Sequence, residues 1–184
     1  MARPRSFDRD AALEQAMRAF WAQGYEQTSI SDLTRAMGIA PPSLYAAFGD
    51  KRRLFDEAVA RYQSDAGAPV RQGLAADTAR GAVERMLRVA ATEYTRDDTP
   101  QGCFILSEPL LGDERARSDG ALRDRLQRGV DAGELPAGTD VATLAAFYGS
   151  VLNGMSARAR DGAGVDELRN VAELALRAWP TAVP

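Results

Sequence analysis

Apolar residues recur at helical spacing along almost the whole of this chain. From Asp8 they fall at Leu13, Met17, Phe20 and Trp21, which is the single face of a helix with 3.6 residues per turn. Ser6 or Asp8 can cap that helix, and Gly24 supplies its stop. A shorter segment, residues 29–37, carries Ile30, Leu33 and Met37, with Thr28 or Ser29 as cap and Gly38 as stop. The next, residues 41–48, opens on Pro41-Pro42, carries Leu44, Tyr45 and Phe48, and ends at Gly49. Proline suits a first helical turn, where its missing N–H has no partner to lose. Asp50 then caps a fourth helix carrying Leu54, Phe55, Ala58, Val59 and Tyr62.

Residues 65–80 are rich in Gly, Ala, Asp and Pro and read as a loosely ordered joint. Helical patterns follow at about 81–96, 103–111, 114–133, 140–160 and 165–179, with Gly112 and Gly120 interrupting the pattern between Gly102 and Gly133. The strand-like run Cys103-Phe104-Ile105-Leu106 is too short and isolated to build a sheet. The expectation is an all-α chain of about nine helices. A first domain would span residues 1–63 and a second residues 64–184.

Composition narrows the chemistry. The 184 residues include no histidine and one cysteine, which excludes a Ser-His-Asp or Cys-His catalytic set and an imidazole metal site. An internal disulfide is impossible with one thiol. No metal or cofactor is expected. No secretory signal and no membrane-length apolar run is apparent, so the expected compartment is a reducing cytoplasm. The formal charge of −3 is uneven: residues 1–61 hold nine basic and eight acidic groups, and the remainder carries the acidic excess. The front end is therefore slightly basic.

Two short helices joined by a tight glycine turn, here 29–37 and 41–48 around Gly38-Ile39-Ala40, have the outline of a helix-turn-helix. Spacing alone fits a generic three-helix cluster equally well. More is carried by Gly24-Tyr25-Glu26-Gln27-Thr28-Ser29-Ile30-Ser31-Asp32-Leu33, Met37-Gly38-Ile39, Ser43-Leu44-Tyr45-Ala46-Ala47-Phe48-Gly49-Asp50-Lys51 and Leu54-Phe55. Over residues 7–63 the chain resembles the N-terminal domain of the TetR family of transcriptional regulators. Gln101-Gly102-Cys103-Phe104, Gly133-Glu134-Leu135-Pro136 and Gly154-Met155-Ser156-Ala157-Arg158-Ala159-Arg160 resemble, more weakly, a subset of that family.

The resemblance implies a homodimer that places one recognition helix per subunit in the major groove of a near-palindromic double-stranded DNA operator. Thr28 and Ser29 would hold a phosphate at a helix N-terminus. Tyr45 and Lys51 match the family's phosphate contacts. Pro41, Pro42 and Ser43 would face the bases, and Arg3 and Arg5 could form an arm along the DNA. Each residue also has a plain reading: Tyr45 as core, Lys51-Arg52-Arg53 as a solvated helix start. Three cations in one first turn oppose the helix dipole, however, which favours a polyanion nearby. Since Ser43 is nearly the only polar group on the base-facing side, readout is expected through thymine methyls and DNA shape.

For the rear domain the resemblance implies a dimer surface on the last two long helices, with Leu144, Tyr148, Val151, Leu152, Leu168, Val171, Ala175 and Trp179, and a sensor pocket. Candidate lining residues are Met86, Tyr94, Phe104, Leu110, Phe147 and Met155, each of which also reads as plain core. A pocket of that lining would take a small apolar or aromatic effector. Cys103 reads either as a redox sensor or as a small buried hydrophobe. The function expected is a ligand-responsive transcriptional repressor, not an enzyme. Asp97-Asp98 and Asp113-Glu114 read as solvated charge and not as paired catalytic acids. The rival is a helical small-molecule-binding protein without specific DNA binding.

Overall fold

The computed structural model describes residues 7–181, and no strand occurs among them. The chain divides into two compact units, the first ending at Asp65 and the second starting at Ala66. The expectation of an all-α fold is borne out.

The first unit holds α1 (Arg9–Gln23), α2 (Ile30–Met37), α3 (Pro41–Phe48) and α4 (Lys51–Ser64). Asp8 caps α1, accepting from the amides of Asp10 at 3.0 Å and Ala11 at 3.1 Å, while Ser6, the other candidate cap, lies outside the described residues. The apolar face of α1 buries Leu13, Met17, Phe20 and Trp21, and Leu33, Leu44, Phe48, Leu54, Phe55 and Tyr62 are buried in the same unit. Edge-on ring pairs, Phe20–Phe55 at 5.2 Å and Trp21–Tyr62 at 4.9 Å between centroids, lock α1 to α4. Each buried side chain of this size stabilises the fold by about 1.5–3 kcal/mol. Gly38 ends α2 at φ +65°, and the Ile39 amide donates back to the Thr34 carbonyl at 3.1 Å. That left-handed residue turns the chain sharply enough to start α3 three residues later.

The second unit contains α5 (Ala68–Gln72), α6 (Ala79–Glu93), α7 (Phe104–Ser107), α8 (Gly112–Asp131), α9 (Val141–Arg160) and α10 (Val165–Leu176). Three features depart from expectation. Residues 65–80 are not an open joint: they form α5 and a 3-10 turn, Gly73–Ala75. Pro69 sits in the first turn of α5, and Gly73 lies so close to α6 that an added Cβ would stand 2.8 Å from the Met86 backbone. Both residue types read as breakers and act as packing devices. The helix expected over 103–111 is instead the short α7 and a 3-10 turn, Pro109–Leu111. Pro109 explains the break, since it pushes Glu108 into extended backbone, at φ −97° and ψ 114°. Conversely, α8 runs uninterrupted through Gly120, whose missing side chain would meet nothing within 4 Å.

The three weaker motifs prove to be packing elements of this unit. The Cys103 amide donates to the Ser156 hydroxyl at 2.9 Å, and Gly102, at φ +77°, sits where a Cβ would stand 2.7 Å from the Ser156 carbonyl oxygen. The Gln101–Phe104 and Gly154–Arg160 stretches thus meet each other. Glu134 accepts from the Ala79 amide at the start of α6 and pairs at 3.7 Å with buried Arg125, which also donates to the carbonyls of Ala76 and Asp77.

Candidate nucleic-acid interface

Helix α3 presents Pro41, Pro42, Tyr45 and Ala46 to the outside, with Ser43 and Ala47 half-buried and Leu44 and Phe48 in the core. Tyr45 is 50% exposed, which removes the reading of it as a core side chain. The N-terminus of α3 offers little to an anion. Ala40 provides no side-chain cap, Pro41 and Pro42 have no N–H, and the Ser43 amide already donates to the Ala40 carbonyl at 2.9 Å. Contacts from this helix must come from its side chains.

The N-terminus of α2 is built differently. Ser29 and Asp32 form a capping box: the Asp32 amide donates to the Ser29 hydroxyl at 3.1 Å, and the Asp32 carboxylate accepts from the Ser29 amide at 3.0 Å and its hydroxyl at 2.5 Å. Those hydrogen bonds, with Arg35 alongside, hold the Asp32 carboxyl below its ordinary range. Thr28 is fully buried, and its hydroxyl donates to the Gly24 carbonyl at 2.6 Å. Its hydroxyl therefore supports the turn from behind and does not reach the surface. The first-turn amides of Ile30 and Ser31, which have no acceptor within a helix, are the donors this end can present.

Helix α4 opens on three cations. Arg52 pairs with Asp56 at 3.0 Å and Arg53 with Asp50 at 3.9 Å, whereas the Lys51 ammonium lies 4.2 Å from the centroid of the Tyr25 ring. Tyr25 itself stacks on Phe20 and meets Phe55 edge-on at 4.9 Å. Sequence reasoning quoted Tyr25 in a motif without giving it a task. Arg9 was missed entirely. Its guanidinium donates to both Glu57 oxygens, at 2.8 and 2.7 Å, and to the Ala47 carbonyl at 3.3 Å, and it lies 4.4 Å over the Phe48 ring. No local signal reveals these contacts, because the partners are 38 to 48 residues away. Arg3 and Arg5 lie outside the described residues.

In the second unit, Met86, Tyr94, Phe104 and Met155 are buried together with Cys103. Burial, reinforced by the Cys103 thiol beside it, holds the Tyr94 phenol well above its ordinary pKa. Leu110 and Phe147 are 43% and 38% exposed, so neither lines the interior of this unit. Leu110 is carried outward by the 3-10 turn, and Phe147 sits on the outer side of α9 against the edge of Tyr148. Of the residues assigned to a dimer surface, Leu144, Tyr148, Leu168, Ala175 and Trp179 are buried within the chain. Val151 and Leu152 are half-buried, and Val171 is exposed, as is Leu174 one turn further along α10. Among the described residues no cluster of three or more His, Cys, Asp or Glu side chains is arranged to hold a metal, and no helix is long and apolar enough to cross a membrane.

A four-helix head with a glycine-turned pair of short helices, followed by a larger helical unit, is the architecture of a helix-turn-helix regulator. Residues 12–58 match the family model described as bacterial regulatory proteins, tetR family. The chain is 36% identical to the HTH-type transcriptional repressor ComR of Escherichia coli K12, over 98% of this chain and 93% of the relative. It is 30% identical to the repressor BdcR of the same organism, over 97% and 92%. Among solved structures, a cysteine-substituted form of the TetR family regulator CifR, complexed with a 26-base-pair operator duplex, is 44% identical with a TM-score of 0.91, over 97% of this chain and 100% of that one. The chain belongs to the TetR family and is a DNA-binding transcriptional regulator.

Proposed function

We propose that this regulator is a homodimeric repressor that binds a near-palindromic operator through α3 and is released by a small, largely apolar or aromatic effector. The observation that carries the DNA-binding part is the outer face of α3. It joins an exposed Tyr45 to an apolar strip of Pro41, Pro42 and Ala46, with Lys51 held alongside at the start of α4. Tyr45, Lys51 and the first-turn amides of α2 would take phosphates and fix the register, while the apolar strip would meet thymine methyls. Ser29 and Thr28 would shape the phosphate site by holding α2 in place.

Repression is the direction suggested by the relatives ComR and BdcR, both described as repressors. Dimerisation is supported by the outward apolar residues Phe147, Val171 and Leu174 on α9 and α10, and by the need of a single short helix for a second half-site. An effector would act by favouring a conformation whose two recognition helices no longer match the half-sites. Selection from a random duplex pool tests the core of this reading. A specific, salt-sensitive, two-half-site sequence is expected, and enrichment of no sequence would leave the chain a small-molecule-binding protein only.

A further inference from the structure

Helix α3 is held to its unit chiefly by apolar anchors. Its buried side chains are Leu44 and Phe48, and apolar contact is non-directional. Its N-terminus has no side-chain cap, and no basic residue of its own stands in its last turn to meet the negative end of the helix dipole. Arg9, at the start of α1, supplies that missing charge from outside. It donates to the Ala47 carbonyl in the last turn of α3 at 3.3 Å and covers the Phe48 ring at 4.4 Å. Both oxygens of Glu57, midway along α4, hold the same nitrogen of the guanidinium at 2.7–2.8 Å. One side chain thus ties the beginning of α1, the end of α3 and the middle of α4.

We infer that Arg9, oriented by Glu57, is a positioning residue for DNA recognition that fixes the angle at which α3 is presented to the groove. The inference rests on α3 being the recognition helix. Arg9 does not spend its charge on a phosphate in this arrangement, since Glu57 neutralises it. The pair is exposed, at 46% and 38% for the two side chains, so its weight in global stability is small. Its leverage lies in orientation, because close contact with thymine methyls tolerates little displacement of α3.

The test uses the full-length protein and a duplex recovered by the wild type from a random pool. Failure to recover any sequence would overturn the DNA-binding reading itself and is seen before any variant is made. Affinities are then measured for that duplex and for a scrambled duplex of equal length, across a salt series, for Arg9→Ala, Glu57→Ala and the double variant. Each is expected to bind the selected duplex about 2- to 5-fold more weakly. The double variant should be no worse than either single one. Binding to the scrambled duplex and the salt slope should be unchanged, as the phosphate contacts are intact. Two results would overturn the inference. One is Glu57→Ala binding as well as or more tightly than wild type. The other is Arg9→Ala weakening both duplexes alike and lowering the salt slope by about one, the mark of a direct phosphate contact. If Arg9→Ala melts below the assay temperature, Glu57→Gln carries the same comparison.

Discussion

The Lys51 ammonium lies 4.2 Å from the centre of the Tyr25 ring, and that ring is wedged between Phe20 and Phe55 of the core. A long, flexible cation is thereby held at one place at the start of α4, where the helix dipole alone would disfavour it. The neighbouring Arg52 and Arg53 are each drawn to a carboxylate, Asp56 and Asp50. Lys51 is the cation whose charge is left for a phosphate. Lys51→Ala should weaken binding to operator and unrelated DNA alike and lower the salt slope by about one. Tyr25→Leu should weaken both duplexes by a smaller factor with the slope retained, since it frees the lysine without removing it. Anisotropy titrations across a salt series measure both.

The outer face of α3 offers Pro41, Pro42 and Ala46, and the backbone there has no free amide to aim at a base. Specificity should therefore follow methyl groups. Replacing thymine by uracil at one contacted position of a selected operator removes one buried methyl. Binding should drop about fourfold per position, on the order of 0.8 kcal/mol. Unchanged affinity at every thymine would place recognition elsewhere.

Much of this head was legible in the sequence because its signals are local. The face of Leu13, Met17, Phe20 and Trp21, the cap at Asp8 and the stop at Gly38 each lie within a few residues of what they control. What escaped was set by distance. Thr28 and Ser29 are equivalent as capping residues on paper, yet Ser29 faces outward into the capping box and Thr28 is turned inward to the Gly24 carbonyl. Arg9 reads as one more surface charge until Ala47 and Glu57 are brought to it. In the second unit Pro69 and Gly73 read as punctuation, whereas one starts a helix and the other lets α6 approach. On α10 an apolar stripe does not say which of its members the chain's own core will take: Leu168 and Ala175 are buried, whereas Val171 is exposed.

Gly38 carries φ +65° and a Cβ there would meet nothing within 4 Å. Any cost of a side chain is thus conformational and not steric crowding. Gly38→Ala should lower stability by about 1–2 kcal/mol, and Gly38→Asn by less, since asparagine tolerates this region better. Thermal or urea unfolding of the three proteins gives the order directly.

The capping box ties the stability of α2 to the charge of Asp32. Its carboxyl is held below the ordinary 3.8 by the Ser29 hydroxyl and amide, helped by Arg35. A carboxyl with a lowered folded-state pKa binds its proton more readily when unfolded. Its stabilisation is accordingly complete above the ordinary value and is lost as pH falls through the lowered one. Asp32→Ala should be less stable than wild type at neutral pH, and the gap between them should close as the pH is taken below about 4. Parallel denaturation curves at neutral and acid pH decide it. A gap that stays constant would mean the carboxylate does not sense the cap.

Leu174 is 65% exposed, the most exposed large apolar residue among the described residues, and Val171 one turn earlier is 37% exposed on the same side of α10. Their neighbours Leu168, Ala172 and Ala175 face the chain's own core. A dimer built on α10 must bury the outward pair, and it need not disturb the inward set. Leu174→Glu should then convert the protein to a monomer in sedimentation experiments while its melting curve, measured at low concentration, stays near that of the wild-type monomer. Operator binding should fall far more than unrelated-DNA binding, because a monomer still meets phosphates but reads only one half-site. Leu168→Glu supplies the contrast. A charge there would be buried in the unit's own core and should unfold it, so the two leucines, six residues apart on one helix, separate association from folding.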